Sequence, residues 1–213
     1  MKKLIVLLPL SLSVLFFSCG GNHDKVVVKD GDISVTDAAK LGERAAEGVK
    51  EAGDRWEQRK AKGDTVAIPY KDLEGFLPDV SGYTKEGEAK GSQMTIPGMG
   101  SLSQAEQNYK NGDKSLRAEI VDYNAAQMAF TGAAAVYKMG FESENDSEKQ
   151  GSVDLGIKDV SAFGTQYKKE PNAELVVIVA DRFLVQLHSN GSNDLEWLKG
   201  VAKGMKLGEL AAK

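Results

Sequence analysis

Cysteine is nearly missing from this chain: Cys19 is the only one in 213 residues. No disulfide can close within the molecule, and no site built from several cysteines can hold a metal. Histidine is almost as scarce, with His23 and His188 alone, so a catalytic metal centre that relies on two or three imidazoles is not expected. Aromatic residues make up 7% and are scattered, with no cluster of the kind that lines a sugar-binding groove. Positive charge is not in excess either, since 27 Lys and Arg stand against 31 Asp and Glu. Without a basic field to displace counterions from phosphates, nucleic acid is not an expected partner. Adjacent basic residues gather only in pairs such as Lys168-Lys169, which leaves little to attract anionic lipid by charge.

What is present begins at the amino terminus. Met1-Lys2-Lys3 precedes an apolar run from Leu4 to Phe17, followed by Ser18-Cys19-Gly20-Gly21. A basic start, a short apolar stretch and a small residue at the cut are the parts of a secretory signal. The run is shorter than the roughly 20 residues of a spanning helix, and Pro9 lies inside it. With cysteine directly after the small residue, residues 1–21 resemble the signal of a bacterial lipoprotein. The resemblance implies removal of residues 1–18, diacylglycerol on the thiol of Cys19 and, usually, an acylated new amino terminus. Cys19 is then the lipidation site, the membrane is a partner, and the location is the bacterial cell envelope, at the outer membrane. Each buried methylene contributes about 0.8 kcal/mol, so two or three acyl chains hold effectively permanently. Acylation also leaves no thiol for catalysis or redox chemistry, and the fold must be stable through its core alone.

Residues 19–35 read as a tether, small and polar apart from Val26-Val27-Val28. Residues 36–62 form the next unit, with Thr36 as cap of a predicted helix and Asp37 in its first turn. Leu41, Ala45, Val49, Ala52 and Trp56 make a narrow stripe, weakened by Gly42, Gly48 and Gly53. It suits either a spacer packed loosely on the body or a surface that docks on a partner.

A single domain is expected over 65–213. Tyr70 to Leu77 reads as a short helix stopped by Pro78, and 82–101 as a glycine-rich loop with one strand around Ser92–Ile96. Leu102–Tyr109 and Ser115–Tyr123 read as a hairpin turning through Lys110-Asn111-Gly112-Asp113. Residues 124–139 carry no charge before Lys138 and read as a helix apolar nearly all round, which is normally buried. Residues 142–150 read as an acidic surface loop. Strands are expected near 153–158, 162–169, 175–180 and 183–189, with Leu175–Val179 central because it is apolar on both faces. Asp194 should cap a last helix through Met205. The order implies an α+β domain: an antiparallel sheet of about five to six strands with helices packed on one face. The closing stretch, from Glu174 through Asn193-Asp194-Leu195 and its helix, resembles the end of small extracytoplasmic lipoprotein domains of unknown function. That resemblance implies no site.

No catalytic motif stands out, and no cofactor is implied. His188 alternates with Leu184 and Gln186, away from the Phe183, Val185, Leu187 face, and no nucleophile-elbow signature accompanies it. Glu142, Glu144, Asp146 and Glu148 do not match the spacing of a calcium loop. Gly98-Met99-Gly100-Ser101 lacks the third glycine and the lysine of nucleotide-binding loops. Met94, Ile96, Pro97 and Met99 place adaptable apolar side chains on that glycine-rich segment, and they are the leading candidates for partner contact. The Phe130–Tyr137 face comes second. The reading is a non-enzymatic binding or assembly-accessory module whose partner is an envelope protein. A carrier of a lipid or small apolar ligand is the alternative, and a carboxylate-based hydrolase a more distant one.

Overall fold

A computed structural model of the chain describes residues 26–29, 35–96, 100–124, 130–131, 134, 137–138 and 140–213. Its centre is one sheet. The strands are β1 (Val26–Lys29), β2 (Thr84–Lys85), β3 (Lys90–Ile96), β4 (Gly100–Asn111), β5 (Lys114–Asp122), β6 (Phe141–Glu144), β7 (Glu148–Val153), β8 (Val160–Tyr167), β9 (Asn172–Val179) and β10 (Phe183–Asn190). They lie in the order β1-β6-β7-β8-β9-β10-β5-β4, and β2 and β3 share the outer edge of β4. β1 with β6 is the parallel pair; the other pairings are antiparallel. The helices are α1 (Val35–Ala61), α2 (Tyr70–Leu73, continued as a 3-10 turn over Glu74–Phe76), α3 (Leu195–Gly204) and α4 (Leu207–Ala211). Phe130, Thr131, Ala134, Tyr137 and Lys138 are also helical.

The class is α+β, but the sheet has ten strands where five to six are expected. Part of the excess is the segment read as an acidic loop. Glu142–Glu148 forms most of a hairpin instead, its turn closed by Asn145, whose Oδ1 accepts from the N–H groups of Ser147 and Glu148. These strands read as loop because they lie toward the sheet's end, where side chains face water and no apolar alternation is needed. β9 takes the central place, flanked by β8 and β10, with Leu175–Val179 all buried. The β4–β5 turn is centred one residue later than expected. Asn111 pairs with Lys114, so Gly112 and Asp113 are the central residues, and only Gly112 has positive φ (58°).

The register divides the sheet into two faces. One carries Ala105, Tyr109, Leu116, Ala118, Ile120, Leu175, Val177, Phe183, Val185 and Leu187. Leu73, Leu198, Ala202, Leu207 and Leu210 from α2, α3 and α4 join the same buried cluster. The Asp194 side chain accepts from Trp197 N–H at 2.9 Å and caps α3 as the sequence implies. A second, smaller cluster contains Phe130, Ala134 and Ile178, with Tyr123, Tyr137 and Leu184 packed on it. Ile178 alternates with Val177 and Val179, so this cluster lies on the opposite face. Apolar cover is therefore present on both faces, where the sequence suggests one.

Tyr109 is fully buried and its hydroxyl donates to the Pro78 carbonyl at 2.6 Å. Burial, and then the charge of Asp79, raise its phenol to about 12. An unfolded tyrosine releases its proton near 10, so between those values the folded state holds a proton that the unfolded chain has lost. The stabilisation is whole below pH 10 and is lost as pH rises toward 12. Burial also raises Tyr83, Tyr123 and Tyr167, in the same direction. Tyr109→Phe should lose about 1 kcal/mol at neutral pH. Its urea midpoint should then fall less steeply than the parent's between pH 9 and 11. Equal slopes would show that Tyr109 ionises without penalty.

Candidate functional site

β3 is the most accessible element that carries a predicted contact residue. Lys90 to Thr95 are all exposed, and among the described residues no strand pairs with the outer edge of β3. An unpaired edge offers alternate backbone N–H and C=O groups to any extended chain, and proteins ordinarily blunt such edges with charge, proline, bulges or short length. The edge strand at the other end, β1, has only four residues. β3 has seven, contains no proline and carries one charge, Lys90. Its position is fixed from one side by Gly91. A Cβ there would come within 2.1 Å of Cδ2 of Tyr70, so glycine is what lets the α2 ring lie against the strand. The result is an edge held firmly but left open.

Of the predicted contact residues, Met94 stands in the middle of this strand, 57% exposed. Ile96 is its last residue. Pro97 and Met99 lie outside the described residues, as does the lipidation candidate Cys19. Phe130 is only 2% exposed; it stacks on Tyr123 with ring centroids 5.1 Å apart and packs on Ile178. Tyr137 lies half-buried against Phe163. The structure therefore separates the two candidate groups: Met94 faces solvent, whereas Phe130 belongs to the interior.

Three other places gather polar side chains. On the sheet face where α3 does not lie, Arg117, Glu119, Glu174, Gln186 and His188 surround a shallow pocket of about 220 Å³. Arg117 pairs with Glu106 at 3.0 Å and also with Glu119, and His188 Nδ1 meets Glu174 at 3.0 Å with both side chains partly exposed. His188 thus sits opposite the apolar face, as its alternation implies. A groove of about 350 Å³ runs between β7, β8 and the start of α3, lined by Glu142, Lys149, Asp154, Asp194, Glu196 and Lys199 among others. Among the described residues no group of three or more His, Cys, Asp and Glu is placed to hold a metal ion. Glu144 of the acidic segment instead pairs with Lys168 at 2.9 Å.

The third place is interior, and the sequence reading missed it. Arg182 donates from Nε and Nη2 to the two carboxylate oxygens of Asp122, at 2.9 and 2.8 Å, and from Nη1 to Asp64 at 2.9 Å and to the Lys213 carbonyl at 3.1 Å. Asp122 also accepts from the N–H of Ile68 and of Asn124. Asn124 in turn donates to Asp64 and to the Val66 carbonyl. The cluster joins β5, the β9–β10 turn, the 64–68 segment and the carboxyl end of the chain. Beside it, burial and then the like charge of Arg182 lower the guanidinium of Arg59, while Asp64, Asp122 and Asp181 act the other way.

Comparisons with protein families, with curated proteins and with solved structures return no match for this chain. Among the described residues no helix is long and apolar enough to cross a membrane.

Proposed function

We propose that the protein is a lipid-anchored module of the bacterial envelope, held by acylated Cys19, that captures an extended segment of a partner protein along β3. One observation carries the reading: a seven-residue edge strand, exposed from Lys90 to Thr95, with Met94 projecting from it. Strand addition draws its affinity from main-chain hydrogen bonds and its specificity from side chains on alternate positions. An apolar residue opposite Met94 would supply that specificity, because a flexible thioether adapts to varied shapes. The carrier alternative needs an apolar cavity under residues 124–139; where that region is described, Phe130, Ala134 and Ile178 pack against one another.

The test is site-directed photocrosslinking from position 94 in intact cells, combined with proline substitution. In an antiparallel strand alternate N–H groups point away from the neighbour. Of Ser92→Pro and Gln93→Pro, one therefore leaves the β3–β4 ladder intact, and its melting temperature identifies it. That variant should lose capture while keeping its stability, and Cys19→Ala should lose capture through lost membrane placement. Capture that survives both prolines rules out strand addition. A crosslinked dimer of this chain would identify a second copy as the occupant, and no crosslink from either form would remove the binding reading.

A further inference from the structure

The face that α1 turns toward the body keeps Leu41, Ala45, Ala52 and Trp56 of the expected apolar stripe and adds arginines to it. Apart from Lys40 and Gly53, its less exposed positions are Leu41, Arg44, Ala45, Gly48, Ala52, Arg55, Trp56 and Arg59, which recur at the three- and four-residue spacing of one helix face. Val49, expected within the stripe, is 45% exposed, and Gly48 takes its place. Three arginines thus share the inner face with mostly small residues. Arg44 lies beside Gly140. Arg55 pairs with Asp159 at 3.0 Å and with Asp181 at 3.2 Å. Lys138 reaches Glu51 of α1 at 3.7 Å while holding Asp181 at 2.7 Å.

The receiving surface is set up by unusual backbone. Among the described residues, the non-glycine residues with positive φ are Asp159 (58°), Ala180 (52°) and Asp181 (52°), and they adjoin, since Ala180 N–H donates to the Asp159 carbonyl at 2.8 Å. This conformation is costly for side chains with a Cβ and persists where neighbouring structure enforces it. Here it places two carboxylates at one spot, and Arg55 occupies that spot. Asp181 is 3% exposed, but the Arg55 side chain is 39% exposed, so the α1 half of the contact is open to ions in solution.

We propose that α1 is a releasable arm, held on the body by its ion pairs more than by its narrow apolar stripe, and detached by screening or by competing anions. At 27 residues the helix is about 40 Å long, so release would lengthen the span between anchor and sheet by up to that distance. The spacing role rests on the anchored reading above; the docking does not, and the experiment reads docking alone.

Trp56 and Trp197 are the only tryptophans, and each marks one part. Trp56 is on the inner face of α1; Trp197 is on α3, stacked on Tyr83 at 5.2 Å. In the full chain carrying Trp197→Phe, acrylamide quenching of Trp56 should roughly double in 1 M NaCl, where the screening length is about 3 Å. It should rise similarly with Arg55→Ala, and less with Arg55→Lys. In the Trp56→Phe chain, Trp197 should not respond to either treatment. If Trp56 does not respond, α1 is held by apolar contact and the proposal fails. If both tryptophans respond, Arg55 supports the body itself and the proposal fails equally.

Discussion

Exchanging Asp122 for asparagine is expected to cost about 3–5 kcal/mol of folding free energy, the usual loss when one member of a buried ion pair is removed. Asp122 is fully buried, and four donors converge on its two oxygens: Nε and Nη2 of Arg182 and the N–H groups of Ile68 and Asn124. That matches the full acceptor capacity of an ionised carboxylate. An asparagine would point an amide NH₂ at two of those donors and leave Arg182, itself buried, with only the partly exposed Asp64 as counter-charge. Replacing both partners by apolar residues is often harmless for an isolated pair. It should not rescue here, because Ile68, Asn124 and Asp64 would each lose a partner. Against a typical domain stability of about 5–15 kcal/mol, the loss is a large share of the whole. Urea unfolding should show a lower midpoint with an unchanged slope. A loss below about 1 kcal/mol would mean that water enters and replaces the network.

The signal for this network was in the sequence, though only half of it could be read. Leu116, Ala118, Ile120 and Asp122 alternate on one face, and the structure puts all four inside. An acid continuing an apolar alternation implies a buried partner. Nothing local names that partner, because Arg182 is 60 residues away and lies in a turn. The same division holds elsewhere. Local rules place the Asp194 cap, the stop of the short helix before Pro78 and the centrality of Leu175–Val179, since each depends on neighbours in the chain. The inner face of α1 was legible in part. A periodicity search follows apolar residues and finds Leu41, Ala45, Ala52 and Trp56, but it also selects the exposed Val49 and misses Arg55, which meets Asp159 and Asp181 far along the chain. The open edge of β3 was half legible too: a strand near Ser92–Ile96 is expected, but its lack of an outer neighbour depends on the order of the whole sheet.

Phe130→Ala is expected to cost about 3 kcal/mol or more, the range for removing a buried phenylalanine. Phe130 and Met94 both stood as contact candidates because each is a large apolar side chain in a segment with little charge. Burial separates them. The Phe130 ring is enclosed by Ile178, Leu184 and Tyr123, and its truncation removes apolar contact, opens a cavity and ends the stacking on Tyr123. Phe130→Leu, which keeps most of the volume, should recover more than half of the loss. Met94→Ala removes a side chain that is mostly in water and should change stability by less than about 0.5 kcal/mol. Urea midpoints and position-94 crosslinking, measured on all three variants, separate the two roles. Phe130→Ala should lower the midpoint, and any loss of capture should follow the unfolded fraction; Met94→Ala should reduce capture with the midpoint fixed. The reverse pattern, with Phe130→Ala stable but blind to its partner, would require residues 130–138 to leave the sheet and expose Ile178. The contact surface would then be this second face, and β3 only an edge beside it.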